Sequence, residues 1–370
     1  MATILSLVPF HVIPPKTGGQ NGIARFVDFL GRRHKLFIVS TNLNAKEHSY
    51  PFTIYPILSK SRLRYLNVFN VIPIVRLCRK NHVQYLIAEQ PFIAYMVYLA
   101  ARWLHIPFYL HNHNIEFERA RTTNKIWWRL VKPVEGFVMR RADVLFFKTA
   151  EDRDLAVRTF NILHSKTYIV PYGVNNAELP PDNAEKRRAI AERHHLNPEE
   201  KILLFFGVLS YEPNVRAVEL ILEKIIPRLR KWHPGFKFKV LICGKGDISS
   251  LLEKGNGGEA VMNVGFVEDI DEYIQGADVI LNPVITGGGI KTKVVEAIGF
   301  DKNVVSTKTG AIGIDENVCG GKLVISADDD WHTFADNVVK ASNLSQHIPQ
   351  SFFDIFYWGN IVERMDRFFQ

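Results

Sequence analysis

The segment Asn282-Pro283-Val284-Ile285-Thr286-Gly287-Gly288-Gly289-Ile290-Lys291-Thr292-Lys293 sets three glycines between an apolar run and two lysines. Glycine has no Cβ, so a ligand can come close to the backbone. A helix starting near Lys291 adds free N–H groups and a partial positive charge, which suit a phosphate. Lys291 and Lys293 contribute fixed cations, and Glu296, further along that helix, can accept hydrogen bonds from sugar hydroxyls. No GK[ST] closes the loop at the spacing of a Walker A. A glycine-rich turn with solvated lysines is the plainer alternative.

Gly18 and Gly19, in Lys16-Thr17-Gly18-Gly19-Gln20-Asn21-Gly22, repeat this logic more weakly before a helix expected from about Ile23. A simple strand-to-helix turn is the better reading of a lone glycine pair. His111-Asn112-His113-Asn114-Ile115-Glu116 follows the candidate strand 108–110. Two histidines at i, i+2 with a carboxylate could bind a metal, but the spacing is poor for zinc and no cysteine is near. Asn114 could instead cap a helix. Segments 171–175, 206–214 (with Gly207), 243–246 and 265–269 (with Gly265 and Val267) close other candidate strands. Open parallel sheets bind ligands at the carboxyl ends of their strands, so several such loops point to one site. No Asp-x-Asp pair for a metal-bound diphosphate stands in these loops. Asp328–Asp330 is expected away from the strand ends.

The elements that must carry these residues alternate. Candidate strands are 4–8, 36–40, 85–88, 108–110, 144–148 and 168–171, with helical patterns at 67–80, 92–104 and 151–160. After a polar break at 175–198, strands recur at 202–206, 239–242, 263–266, 279–281 and 303–306. Strands separated by helices of this length argue for parallel βαβ units, hence an α/β chain of two doubly wound domains. The expected division is 1–172, completed by a C-terminal helix at 352–370, and 173–351. A length of 370 residues agrees with two domains.

Composition narrows the class. With 47% hydrophobic and 23% charged residues the chain is an ordinary soluble globular one. Three scattered cysteines outside any CxxC suit a reduced, cytosolic protein. The apolar stretch 92–110 is broken by Arg102, His105 and Pro107, short of the roughly 20 residues a spanning helix needs. The N-terminus reads as a first strand and not a signal peptide. Residues 1–180 carry 24 Lys/Arg against 11 Asp/Glu, net +13, whereas residues 181–370 carry 22 against 27, net −5. A basic first half suits an anionic surface, either the cytoplasmic membrane leaflet or nucleic acid. Aromatics beside basic residues from Lys125 to Leu130 keep nucleic acid open, but no RNA- or DNA-binding motif supports it.

The stretch 265–313, GFVEDIDEYIQGADVILNPVITGGGIKTKVVEAIGFDKNVVSTKTGAIG, resembles the donor-site region of glycosyltransferase family 4 (glycosyltransferases group 1). FFGVLSYEPN, PYGVN and the Gly18-Gly19 loop resemble further parts of that family, over nearly the whole chain. The resemblance implies a GT-B fold, two Rossmann-like domains facing a cleft, with the terminal helix crossing back to the first. It implies retaining transfer from a nucleotide sugar, without a metal or other cofactor, to a saccharide or lipid-linked acceptor. Glu296 matches the second Glu of the family's E-x7-E motif, which binds the donor ribose; the first falls on Gly288. The usual Arg/Lys pair on the diphosphate falls near Val208 and Pro213, and Lys291 and Lys293 are candidates to replace its charge. His113 matches the family's cleft histidine, with His111 as its rival. Gly18, Gly19, Gly207, Gly265, Val267, Gly287, Gly288, Gly289 and Ile290 complete the expected donor site. The expected setting is the cytoplasm, peripherally at the inner face of the membrane, in polysaccharide or glycolipid synthesis, with no nucleic-acid partner. An epimerase of the same fold, or a non-catalytic carbohydrate- or nucleic-acid-binding module, are the alternatives.

Overall fold

A computed structural model describes residues 1–15, 17–44, 50–123, 126–181, 184–255 and 257–370, so Lys16 and Lys125 lie outside the described residues. The chain forms two units, Met1–Asn175 with Trp358–Gln370, and Asn176–Tyr357.

The first unit holds β1 Thr3–Leu7, β2 Lys35–Thr41, β3 Phe52–Leu58, β4 Tyr85–Ala88, β5 Phe108–Asn112, β6 Val144–Phe147 and β7 Thr167–Ile169. They form one sheet in the order β3-β2-β1-β4-β5-β6-β7, and every pairing is parallel. The second unit holds β8 Lys201–Phe206, β9 Phe238–Cys243, β10 Val261–Gly265, β11 Val279–Asn282, β12 Asn303–Thr307 and β13 Leu323–Ser326. Their order is β10-β9-β8-β11-β12-β13, again all parallel. Runs such as Leu203, Leu204 and Phe205, each 0% exposed, belong to strands covered on both faces. The strand order reverses between β1 and β4 and again between β8 and β11. At such switch points the loops diverge to opposite faces and leave a crevice.

Several expectations change. The single terminal helix is two, Gln350–Phe356 and Trp358–Met365, broken at the extended Tyr357. The polar stretch 175–198 contains a helix, Ala184–Arg193, that buries only Ile190. The helix expected from Ile23 begins at Gly18, where the Thr17 side chain accepts from the Gln20 N–H; the glycine pair is its first turn. Asp328 lies two residues beyond the end of β13, not away from the strand ends, and binds the Thr309 N–H at 2.8 Å and hydroxyl at 2.6 Å. The last residues are tied to the first sheet. Trp358 is fully buried and donates its N–H to the Val174 carbonyl at 3.0 Å. The Tyr85 and Tyr109 hydroxyls donate to the carbonyls of Gln370 and Phe368.

Candidate active site

In the second unit β11 ends at Asn282, the glycines follow, and the helix Thr292–Gly299 begins within ten residues. Gly287 and Gly289 have φ of 86° and 72°, a conformation other residues adopt only under strain. Lys291 folds back on this turn: its Nζ donates to the carbonyls of Gly287, Gly288 and Gly289 at 2.8, 3.2 and 3.0 Å. It therefore shapes the loop as well as charging it. Lys293, the second residue of the helix, is half-buried, with its ammonium 4.3 Å over the Phe205 ring and 3.0 Å from Asn214 Oδ1. Burial pushes the Lys293 amine down to about 7; Lys291 adds to this and Glu296 opposes it. Glu296 follows three residues later, half-buried.

The partner loop at this switch point follows β8. The Gly207 N–H donates to the Cys243 carbonyl at 3.0 Å, and a Cβ on Gly244 would collide with the Gly207 carbonyl oxygen. Asn214 Nδ2 donates to the Val208 carbonyl at 2.9 Å, so one amide pins the β8 turn and holds Lys293. Asn214 was not among the expected site residues, because its link to Lys293 spans 79 positions. Gly207, Gly287–Gly289, Ile290, Lys291, Lys293 and Glu296 thus gather at the β8/β11 ends. Gly265 ends β10 and the half-buried Val267 follows it, two strands or about 10 Å from β8. Gly18 and Gly19 belong to the other unit. Beneath the glycine loop, Asn282 Nδ2 donates to Ser306 Oγ at 2.9 Å and to the Gly310 carbonyl at 3.1 Å. The Thr307 hydroxyl donates to the Val284 carbonyl. This is the work of the VVST–G turn: it anchors the start of the loop.

In the first unit a polar cluster sits at the strand ends. Glu89, directly after β4, is fully buried. Its Oε1 accepts from Ser6 Oγ at 2.9 Å, and its Oε2 lies 3.0 Å from His113 Nε2. His111 Nδ1 comes within 2.9 Å of the same oxygen without the alignment of a hydrogen bond. His111 is 0% exposed, whereas the His113 side chain keeps 14%; only the second faces outward. Lys148, directly after β6, is buried beside Phe26 and Trp358 with no hydrogen-bond partner for Nζ among the described residues. Burial pushes the Lys148 amine down to about 7, against the pull of Glu89. Burial, reinforced by Lys148, pushes His111 down to about 3 and also lowers His113. Burial alone would raise Glu89, but contact with the two imidazoles holds it below the usual carboxylate range.

Residues 200–343 match the family described as glycosyl transferases group 1, and residues 17–178 match Glycosyltransferase Family 4. The chain belongs to glycosyltransferase family 4. Its sequence relatives include an uncharacterized 44.6 kDa protein of the cps region of Klebsiella pneumoniae, 28% identical over 160 residues. EpsD of Bacillus subtilis (strain 168), which carries a glycosyltransferase name, is 27% identical over 188 residues. These matches cover 42% and 49% of the chain, and 40% and 46% of the relatives, so the chain matches under half the length of each. Among solved structures, a glycosyltransferase from Rickettsia africae ESF-5 aligns over 100% of the chain and 97% of its own, at a TM-score of 0.75 and 17% identity. Anabaena Alr3699/HepE, solved with UDP and glucose, aligns over 100% and 99% at 0.74 and 13%. At these identities the likeness shows the fold, that of GT-B glycosyltransferases.

Proposed function

We propose that this family 4 chain moves a sugar, with retention of anomeric configuration, from a nucleotide-activated donor to a saccharide or lipid-linked acceptor in cell-surface polysaccharide or glycolipid synthesis. The observation that carries this reading is the Gly287–Gly289 turn at the β8/β11 switch point, closed by Lys291 and followed by Lys293 and Glu296. The helix start and Lys293 would meet the donor diphosphate, and Glu296 the ribose hydroxyls. Charge growing on the leaving diphosphate is then met by groups already in place, which is where enzymes gain most. On this reading Lys293 and the helix start supply that charge in place of a metal, so EDTA is expected to leave turnover unchanged. In a retaining transfer the departing phosphate oxygen can take the acceptor's proton, so His113 positions the sugar and need not act as a base.

HepE was solved with UDP and UDP-glucose, so uridine sugars head the test. A panel of nucleotide sugars is scored for thermal stabilisation, and each hit is then assayed with and without saccharide acceptors. Transfer to an acceptor supports the reading. Isomerisation of donor alone indicates the epimerase, binding without turnover a binding module, and no stabilisation by any nucleotide sugar overturns it.

We further propose peripheral contact with an anionic membrane. The helices Val71–Asn81, Pro91–Leu104 and Trp128–Arg141 pack side by side on the first unit. Their outer faces expose Trp103 at 53%, together with Leu99, Leu130 and Phe137, beside exposed Arg76, Arg79, Arg102 and Arg141. The basic segment 60–64 continues into Leu66, 78% exposed, and Phe69, 74%. Apolar side chains ringed by arginine suit a lipid interface of negative charge. No helix among the described residues is long and apolar enough to cross a membrane.

A further inference from the structure

Glu89, His111 and His113 bring ligand atoms within 4.8 Å of one another, the composition of a metal triad. The surroundings favour a different use. Lys148 places a buried amine, cationic when protonated, within the field of Glu89, and that charge repels a second cation. The carboxylate is also already engaged by Ser6 and His113. Among the described residues Ser6 and His113 reach this carboxylate as donors and Lys148 as a cation, so it is the acceptor in each of these contacts.

We propose that Glu89 is a positioning residue that fixes His113 in its Nε2–H tautomer and thereby makes Nδ1 a hydrogen-bond acceptor. A neutral imidazole carries one N–H and one lone pair, and the partner of one nitrogen decides the other. His113 Nε2 lies 3.0 Å from Glu89 Oε2, so the proton belongs on Nε2. Nδ1 has no hydrogen-bond partner among the described residues, and the side chain is 14% exposed. Its lone pair can receive a hydroxyl or an amide N–H; it cannot bond a carbonyl or phosphate oxygen. His111 contributes by packing against His113 at a 40° tilt, ring centroids 4.4 Å apart, which limits rotation of the outer ring. Ser6 anchors the other carboxylate oxygen, and Lys148 balances the charge. On the reading that His113 meets the reacting sugar, the site therefore selects a sugar with a free hydroxyl at that contact. A sugar deoxygenated there is expected to turn over at least tenfold more slowly, with nucleotide affinity kept.

The test uses the full chain labelled with 15N-histidine, without any nucleotide sugar, so it stands apart from the fate of the functional reading. His113 is one of 13 histidines, and its signals are identified by their loss in His113→Asn. Long-range proton–nitrogen correlations at pH 7.5 should show Nε2 protonated and Nδ1 bare. A Glu89→Met/Lys148→Met pair removes carboxylate and counter-charge together, so no lone buried charge is left to unfold the unit. There the preference for Nε2–H should fall to the weaker one of a free imidazole, and a share of Nδ1–H should appear. An Nδ1–H or doubly protonated His113 in the parent overturns the proposal, and so does an unchanged tautomer in a folded double variant. The parent spectrum alone decides if the double variant does not fold.

Discussion

Lys293 shows how a single side chain can report on its ligand. With its amine pushed down to about 7 by burial, it is mostly neutral at pH 8. A diphosphate beside it favours the charged form, so nucleotide binding at pH 8 should take up as much as one proton. Calorimetry in two buffers of different ionisation heat measures this; equal heats would remove Lys293 from the diphosphate site, and Lys293→Met should abolish the uptake. The folded pKa lies below the unfolded one, about 10.4, so the sign for stability is fixed. The burial penalty is full below about pH 7 and fades as pH rises toward 10. The two histidines should separate cleanly. His113→Ala is expected to lower kcat by about 10²–10³ while nucleoside diphosphate binding holds. His111, fully buried with its ring 4.6 Å from that of Phe26, should lose stability first, read as a lower Tm. A greater kcat loss in a folded His111→Ala would reverse their roles.

Among the elements, the helix Glu116–Thr123 depends on a residue outside it. Glu135, 0% exposed, accepts the N–H groups of Glu116 and Phe117 at 2.8 and 2.9 Å, capping the helix that begins just after the His113 turn. Burial raises its carboxyl to about 8 against those two bonds. Glu135→Ala should cost about 1–3 kcal/mol and speed amide exchange in 116–123 before other helices; uniform exchange would show that the cap is not local. Glu135 could not be found from the sequence, because its bonds span 18 and 19 positions. The same limit hid Glu89 and Asn214. By contrast the glycines, Lys291, Lys293 and Glu296 stand together in one loop and helix start, so their grouping was legible in the sequence. Central strands were legible from continuous apolar runs. The strands missed, β3 and β13, are both at sheet edges: β3 is half exposed and contains Pro56, and β13 has four residues. Edge strands tolerate proline and need no apolar run. The helix Ala184–Arg193 buries one side chain and so has no apolar stripe to read. The break at Tyr357 carries no proline or glycine of its own.

At the scale of the molecule, net charge is divided as +13 and −5 between residues 1–180 and 181–370. Vesicle flotation should show binding to anionic but not neutral lipid, weakened by salt, at about 1 kcal/mol per well-placed Lys/Arg. Reversing Arg76, Arg79 and Arg102 to Glu should release the protein from vesicles and leave its far-UV spectrum unchanged; equal binding to both lipids would refute the contact. The first unit has another consequence, set by the order of synthesis. That unit is completed by Trp358–Gln370, with Trp358 buried among its aromatics and two tyrosines bound to the carbonyls of Phe368 and Gln370. Roughly 180 residues of the second unit are translated in between. At about 5–20 residues per second, the first half waits on the order of ten to forty seconds for its closing piece. The half made first is therefore the half completed last, and in a growing cell it is the nascent first sheet, with its apolar groove around Phe26 and Tyr172 still uncovered, that chaperones would meet.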